Sequence, residues 1–307
     1  MSSLTKSIYL AFSKSRFSKE IAVHAEFNKA KRLLVRLAEN PPYTLFSIFT
    51  AIALKKCKRD RRMTVIVPKD ASMLLFPYTG TFDEKIEIDS TPAYGSKSFK
   101  LIKEKLQKPE FDVMLDFDPI PLPEIAVLSS AKIRVACAEK DCFPYFNILF
   151  RSKKETDLTE RASLVLRSLT GEESMQPNPP RLHTQQLKAS AWLKDKGNGR
   201  KNPYILSSIN IPNLSSEKAM VFPPEAWQNE SDDTKAALFA SASAYIGGID
   251  RNFELAYLFE IPSVVFSSDD SLKSLIPESS FMKLLPLQHN QQPSNEIIIK
   301  ALENIII

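Results

Sequence analysis

Residues 247–254, Gly247-Gly248-Ile249-Asp250-Arg251-Asn252-Phe253-Glu254, are the part of this 307-residue chain with the most chemistry available to it. Glycines at a strand end let backbone N–H groups approach a ligand, and a helix starting just after them offers a place for phosphate. The same two residues also suit a plain tight turn. Asp250 and Glu254 stand one helical turn apart, where they would repel a diphosphate; an N-cap and a first-turn carboxylate account for both without any ligand. Elsewhere, Glu39 and Asp116 are carboxylates able to take a proton from an attacking hydroxyl, and Lys218 and Arg251 are cations able to hold phosphate oxygens. Before Gly171 the only glycines are Gly80 and Gly95, so the N-terminal half has no Gly-rich phosphate loop.

These residues need elements to place them. Ala244–Gly248 reads as a short buried strand, Asn252–Phe259 as a helix with Leu255, Ala256 and Phe259 inward, and Pro262–Phe266 as the next strand. Toward the N-terminus, Arg32–Leu37 and Met63–Val67 read as strands around a helix at Leu45–Leu54. Phe111–Asp116 and Ala131–Ala136 continue the alternation, which predicts a parallel sheet covered by helices on both faces. Thr156–Leu169 has one apolar stripe and a stop at Gly171. A second strand set opens at Pro203, and the apolar helix Asn295–Ile307 should dock on a domain. The expected division is a basic arm at 1–30, a first domain at 31–171, a linker at 172–202 broken by one short helix, and a second domain at 203–307.

The spacing of these elements, with Phe111-Asp112-Val113-Met114-Leu115-Asp116, Phe222-Pro223-Pro224-Glu225-Ala226-Trp227 and Leu255-Ala256 before Pro262, resembles the family 9 glycosyltransferases, the ADP-heptose-dependent heptosyltransferases of lipopolysaccharide synthesis. The resemblance implies an α/β fold of two Rossmann-like domains in the glycosyltransferase-B arrangement. It implies sugar transfer from a nucleotide-sugar donor without a metal. Set against the family's pattern, the Gly-Asp that supplies the proposed general base falls on Pro41 and Pro42. The Asp and Ser/Thr of the phosphate turn fall on Ile249 and Asp250, the second Gly on Arg251, the His on Glu254, and a Lys on Met220, with Lys218 the nearest substitute. About eight residues separate Trp227 from the next helix, too few for the strand, helix and loop the family has there, so the C-terminal domain is expected to be shortened.

Composition excludes several classes. No apolar run reaches the length of a membrane-spanning helix, and the N-terminus lacks the core of a secretion signal. Cys57, Cys137 and Cys142 are odd in number and scattered, which argues for a reducing, cytoplasmic setting; with His24, His183 and His289 far apart, no metal or other cofactor is called for. Residues 1–36 hold eight Lys or Arg against two acidic residues, so the net +5 belongs to the arm and first strand. Such an arm suits a protein partner or an anionic membrane surface, the latter placing the protein on the inner face of a membrane. The run Lys55–Arg62 lacks interleaved aromatics and reads as a solvated helix end, which argues against nucleic acid as a partner.

With so many of the family's chemical positions replaced, the sequence points first to a catalytically silent relative acting as a structural or partner-binding component. The alternative is an active glycosyltransferase using Glu39 or Asp116 as base, with a cell-surface glycan or lipopolysaccharide acceptor and a nucleotide sugar held through Lys218, Gly247, Gly248, Asp250, Arg251 and Glu254.

Overall fold

The computed structural model describes residues 23–89, 92, 94–106, 110–138, 142–151, 158–171, 186–197, 203–211, 219–268, 276, 280–287 and 294–305. The chain forms two compact units, one of residues 1–71 and 79–177, the other of 72–78 and 178–307.

The first unit holds a six-stranded, wholly parallel sheet: β1 (Arg32–Arg36), β2 (Arg62–Pro68), β3 (Glu84–Ile88), β4 (Val113–Asp116), β5 (Ile133–Cys137) and β6 (Ile148–Phe150), in the order β3-β2-β1-β4-β5-β6. The runs Leu33-Leu34-Val35 and Met63 through Pro68 are buried residue after residue, as expected for strands covered on both faces. Helix α1 (Val23–Lys29) precedes β1, and α2 (Tyr43–Cys57) follows it. Nearly all of α2 between Thr44 and Leu54 is buried. Two of its hydroxyls are satisfied within the helix, those of Ser47 and Thr50 donating to the carbonyls of Tyr43 and Phe46 at 2.9 and 2.7 Å. Helices α3 (Lys97–Leu106), α4 (Pro123–Ser129) and α5 (Leu158–Thr170) complete the unit, and α5 stops at Gly171 with φ +76°.

Part of the expected arm belongs to this core. Phe27 is fully buried, and Arg61, itself buried, stacks its guanidinium 4.5 Å from the Phe27 ring centroid. The Arg61 side chain donates to the carbonyls of Phe27 and Ala30 at 3.0 and 3.3 Å, and Lys58 donates to that of Asn28 at 2.7 Å. From Val23 onward the region expected as an arm is thus part of the first unit. The basic run is not simply solvated either, because its cations hold the carbonyl end of α1. The earlier part of the arm lies outside the described residues.

In the second unit, helix α6 (Gln186–Asp195) lies within the expected linker, and Trp192 packs edge-on against Phe222 at 5.0 Å. The sheet contains β7 (Tyr204–Ser207), β8 (Met220–Phe222), β9 (Ala244–Gly248), β10 (Ser263–Ser267) and β11 (Met282–Pro286), all parallel, in the order β11-β10-β9-β7-β8. Helices α7 (Pro224–Trp227), α8 (Asp232–Ser241), α9 (Arg251–Leu258) and α10 (Asn295–Glu303) cover it. Ile298, Ala301 and Leu302 of α10 join Ile205, Ile246, Val264 and Phe266 in one core, so the terminal helix docks on this unit. No helix among the described residues is long and apolar enough to cross a membrane.

Candidate functional sites at the carboxyl ends of the sheets

In an open parallel sheet, ligands bind beyond the carboxyl ends of the strands where the strand order reverses. The first sheet reverses between β1 and β4, the second between β7 and β9. Of the residues singled out from the sequence, those that are described gather at these two places.

Arg36 ends β1 and Asp116 ends β4, and the two strands pair so that these residues are register partners. Arg36 Nη1 donates to both Asp116 oxygens at 2.9 and 3.1 Å, while Nη2 lies 2.7 Å from Glu39 Oε1 and 3.6 Å from Asp118 Oδ2. Backbone N–H groups complete the cluster. Those of Asp118 and Leu122 donate to Asp116 at 3.1 and 3.0 Å, and that of Glu39 donates to Asp118 at 2.8 Å. Burial pushes the Asp116 carboxyl up to about 6 against the pull of Arg36 and these N–H donors. Burial also works against the Arg36 charge, but Asp116, Asp118 and Glu39 outweigh it and hold the guanidinium above its ordinary value.

This arrangement separates the two candidate bases. Asp116 is completely enclosed and committed to Arg36, so it cannot meet an acceptor hydroxyl; its role is to fix the ends of β1 and β4. The Glu39 side chain is 22% exposed and is the member of the pair in reach of solvent. The loop leading from β1 into α2 through Pro41 and Pro42 is tied from the helix side, with the Ala38 N–H donating to Ser47 Oγ at 3.0 Å and Thr44 Oγ1 donating to the Ala38 carbonyl at 3.1 Å.

At the second reversal, neither Gly247 nor Gly248 has positive φ, so no left-handed turn demands them. Close approach demands one of them. A Cβ on Gly247 would lie 2.1 Å from the Tyr245 hydroxyl and 2.2 Å from Ser208 Oγ. Tyr245 and Gly247 point to the same side of β9, and the fully buried Tyr245 ring runs along the strand over the glycine. Its hydroxyl donates to Asp250 Oδ1 at 3.1 Å and lies 2.7 Å from Ser208 Oγ. Because the tyrosine proton goes to the carboxylate, the serine proton goes to the tyrosine oxygen. Burial first, then Asp250, keep the phenol well above its ordinary range, so it stays protonated.

Asp250 is the N-cap of α9, its Oδ1 accepting the Phe253 N–H at 2.8 Å. Glu254 is fully buried and accepts from Arg251 Nη1 at 2.9 Å. Glu254 is the expected first-turn carboxylate, and its burial requires the arginine beside it. Lys218 lies outside the described residues. Ser208, Tyr245, Arg36 and Asp118 were not among the sequence candidates. The signal for Arg36 was available, since a charge closing an otherwise apolar buried strand needs a partner. No three His, Cys, Asp or Glu residues converge as a metal site among the described residues.

No protein-family model matches the sequence, and no curated protein does. Solved structures do match. A glycosyl transferase family 9 protein from Veillonella parvula DSM 2008 superposes with a TM-score of 0.70 at 13% identity, over 90% of this chain and 97% of that one. The ADP-heptose lipopolysaccharide heptosyltransferase II of E. coli gives 0.60 at 12%, over 90% and 98%. E. coli heptosyltransferase WaaC, solved with ADP, gives 0.58 at 14%, over 89% and 99%. The fold is that of the family 9 glycosyltransferases. The Arg36 cluster and the Tyr245 chain lie at the two strand-order reversals of its sheets.

Proposed function

We propose that this chain is a heptosyltransferase-like protein without transferase activity, serving as a structural or partner-binding component in the cytoplasm. The observation that carries this reading is the carboxylate cap at the N-terminus of α9. A phosphate at a helix start needs free backbone N–H groups and room beside them. Here Asp250 takes the Phe253 N–H with a negative charge, and the Tyr245 hydroxyl fills the space over Gly247. The hydrogen bonds run from Ser208 through Tyr245 to Asp250, so the chain ends on a carboxylate that repels an anion. Isothermal calorimetry with ADP-, UDP- and GDP-sugars tests the reading. No measurable heat of binding is expected; a dissociation constant near 1 μM, about −8 kcal/mol, would overturn it.

A second reading keeps one observation on its side: Glu39 is a partly exposed carboxylate at the reversal of the first sheet. If the chain is an active glycosyltransferase with Glu39 as base, turnover of a nucleotide sugar with cell-derived glycan acceptors should fall by about 10²- to 10⁴-fold in Glu39→Gln. Wild-type turnover that survives this substitution removes Glu39 from that role.

A further inference from the structure

Helix α3 has two unlike faces. Ser96 opens it, its hydroxyl accepting the Phe99 N–H at 3.0 Å. Phe99, Ile102 and Leu106 recur at helical spacing and are buried, the last two in a core shared with Ile86, Ile88 and Ile125. The opposite face is exposed and carries Lys97, Lys100, Lys103 and Lys105 with Glu104 as its only acid, which leaves +3 on ten residues. Nor does the flanking sequence offset it, since residues 90–109 hold five lysines and one acidic residue.

Elsewhere in the first unit lysines find acids. Lys55 meets Asp83 at 2.7 Å, Lys85 meets Glu87 at 2.7 Å and Lys132 meets Glu26 at 2.9 Å. The four lysines of α3 have no ion pair with any described residue. Like charges held together in this way repel, and an external negative surface relieves them.

The make-up of the face says what kind of surface. It has no arginine, and lysine is a point charge without the planar fork that grips a single carboxylate or phosphate. It is the outside of a helix, so it touches something broad and encloses nothing. Leu101, 38% exposed, stands among the lysines, whose long stems let their charges spread away from it. A broad negative layer with an apolar layer beneath it is the surface of an anionic lipid bilayer.

We propose that the exposed face of α3 docks on an anionic lipid surface, with Lys97, Lys100, Lys103 and Lys105 over the headgroups and Leu101 pressed between them. The contact is made by the first unit, apart from the basic arm, and is independent of whether the chain transfers sugars.

The test is co-sedimentation of the full chain with unilamellar vesicles in about 0.1 M salt, made of phosphatidylcholine alone or with about 30% phosphatidylglycerol. The anionic vesicles should take the protein down saturably and the neutral ones should not. Lys97→Ser, Lys100→Ser and Lys103→Ser together should weaken binding roughly 100-fold, at about five-fold per lysine, and Glu104→Gln should tighten it about five-fold. The emission of Leu101→Trp should shift to the blue on anionic vesicles, relative to wild type. No binding to anionic vesicles, or equal binding to neutral ones, overturns the proposal with the wild type alone. An unchanged affinity in the triple variant overturns it, as does an unshifted emission. So does an equal loss in Lys6→Ser, Lys14→Ser and Lys19→Ser together, which would make net charge the cause. Tighter binding of poly-glutamate than of vesicles through the same lysines would make an acidic protein the partner and overturns it too.

Discussion

Arg36 Nη1 lies 2.9 and 3.1 Å from the two oxygens of Asp116, and both residues are closed off from solvent. A single nitrogen thus serves a whole carboxylate, which frees Nη2 for Glu39 and Asp118 on the loops beyond. One arginine joins a strand end to both loops flanking the reversal.

Replacing Arg36 with Met would leave Asp116, Asp118 and Glu39 facing one another without the cation. Breaking a buried pair from one side typically costs about 3–5 kcal/mol. Urea unfolding at pH 7 should show a loss of that order. A loss under about 1 kcal/mol would mean that desolvation already cancels the value of the pair.

Asp116 sets a pH dependence whose sign is unusual for a carboxylate. Its folded value of about 6 lies above the ordinary 3.8, so the folded state binds the proton more tightly. The resulting stabilisation is complete below about 4 and is lost as pH rises through about 6. Wild type should therefore gain stability relative to Asp116→Asn as pH falls from about 7 to 4, by on the order of 2–3 kcal/mol. Denaturant melts of both proteins across that range read it directly; a difference that is flat or of opposite slope contradicts the assignment.

Gly247→Ala should be destabilising by about 1–3 kcal/mol, because the new methyl meets the buried Tyr245 hydroxyl and, beside it, the more easily moved Ser208 Oγ. The same substitution in a Tyr245→Ala background should cost far less. Thermal unfolding of the two singles and the double completes the cycle. Strict additivity would show that Tyr245 is not the obstacle.

One truncation tests whether α1 belongs to the core. Removing residues 1–30 takes away the buried Phe27 and both carbonyl acceptors of Arg61 and should lower the melting temperature. Phe27→Ala alone should cost about 3–5 kcal/mol. An unchanged melting temperature for Phe27→Ala would place α1 outside the cooperative core.

The alternating strands and helices were legible because buried parallel strands are unbroken apolar runs, as at Leu33–Val35 and Val264–Phe266. Four strands escaped notice for related reasons. β3 lies at a sheet edge with exposed charges at Glu84, Lys85 and Glu87, β6 and β8 have only three residues each, and β11 has no fully buried residue. At the sites, Asp250 as an N-cap could be read from local spacing. The Ser208–Tyr245 bond could not, since it joins residues 37 apart, and neither could the burial of Arg61, whose acceptors come from α1 about 30 residues earlier. Periodicity reports which face is covered. It does not report which distant carbonyl or hydroxyl will meet a charge.

The strand order of the first sheet also fixes a schedule for the growing chain. β1 finds β2 soon after it is made, but Asp116 follows Arg36 by 80 residues and Asp118 follows Glu39 by 79. At about 5–20 residues per second on the ribosome, roughly 4–16 s pass before the guanidinium meets its two aspartates. Through that interval Glu39 is the one member of the carboxylate cluster already made, and β1 has its pairing with β2 but not yet with β4. The closing of the charge cluster then marks the moment at which the centre of the sheet can no longer shift.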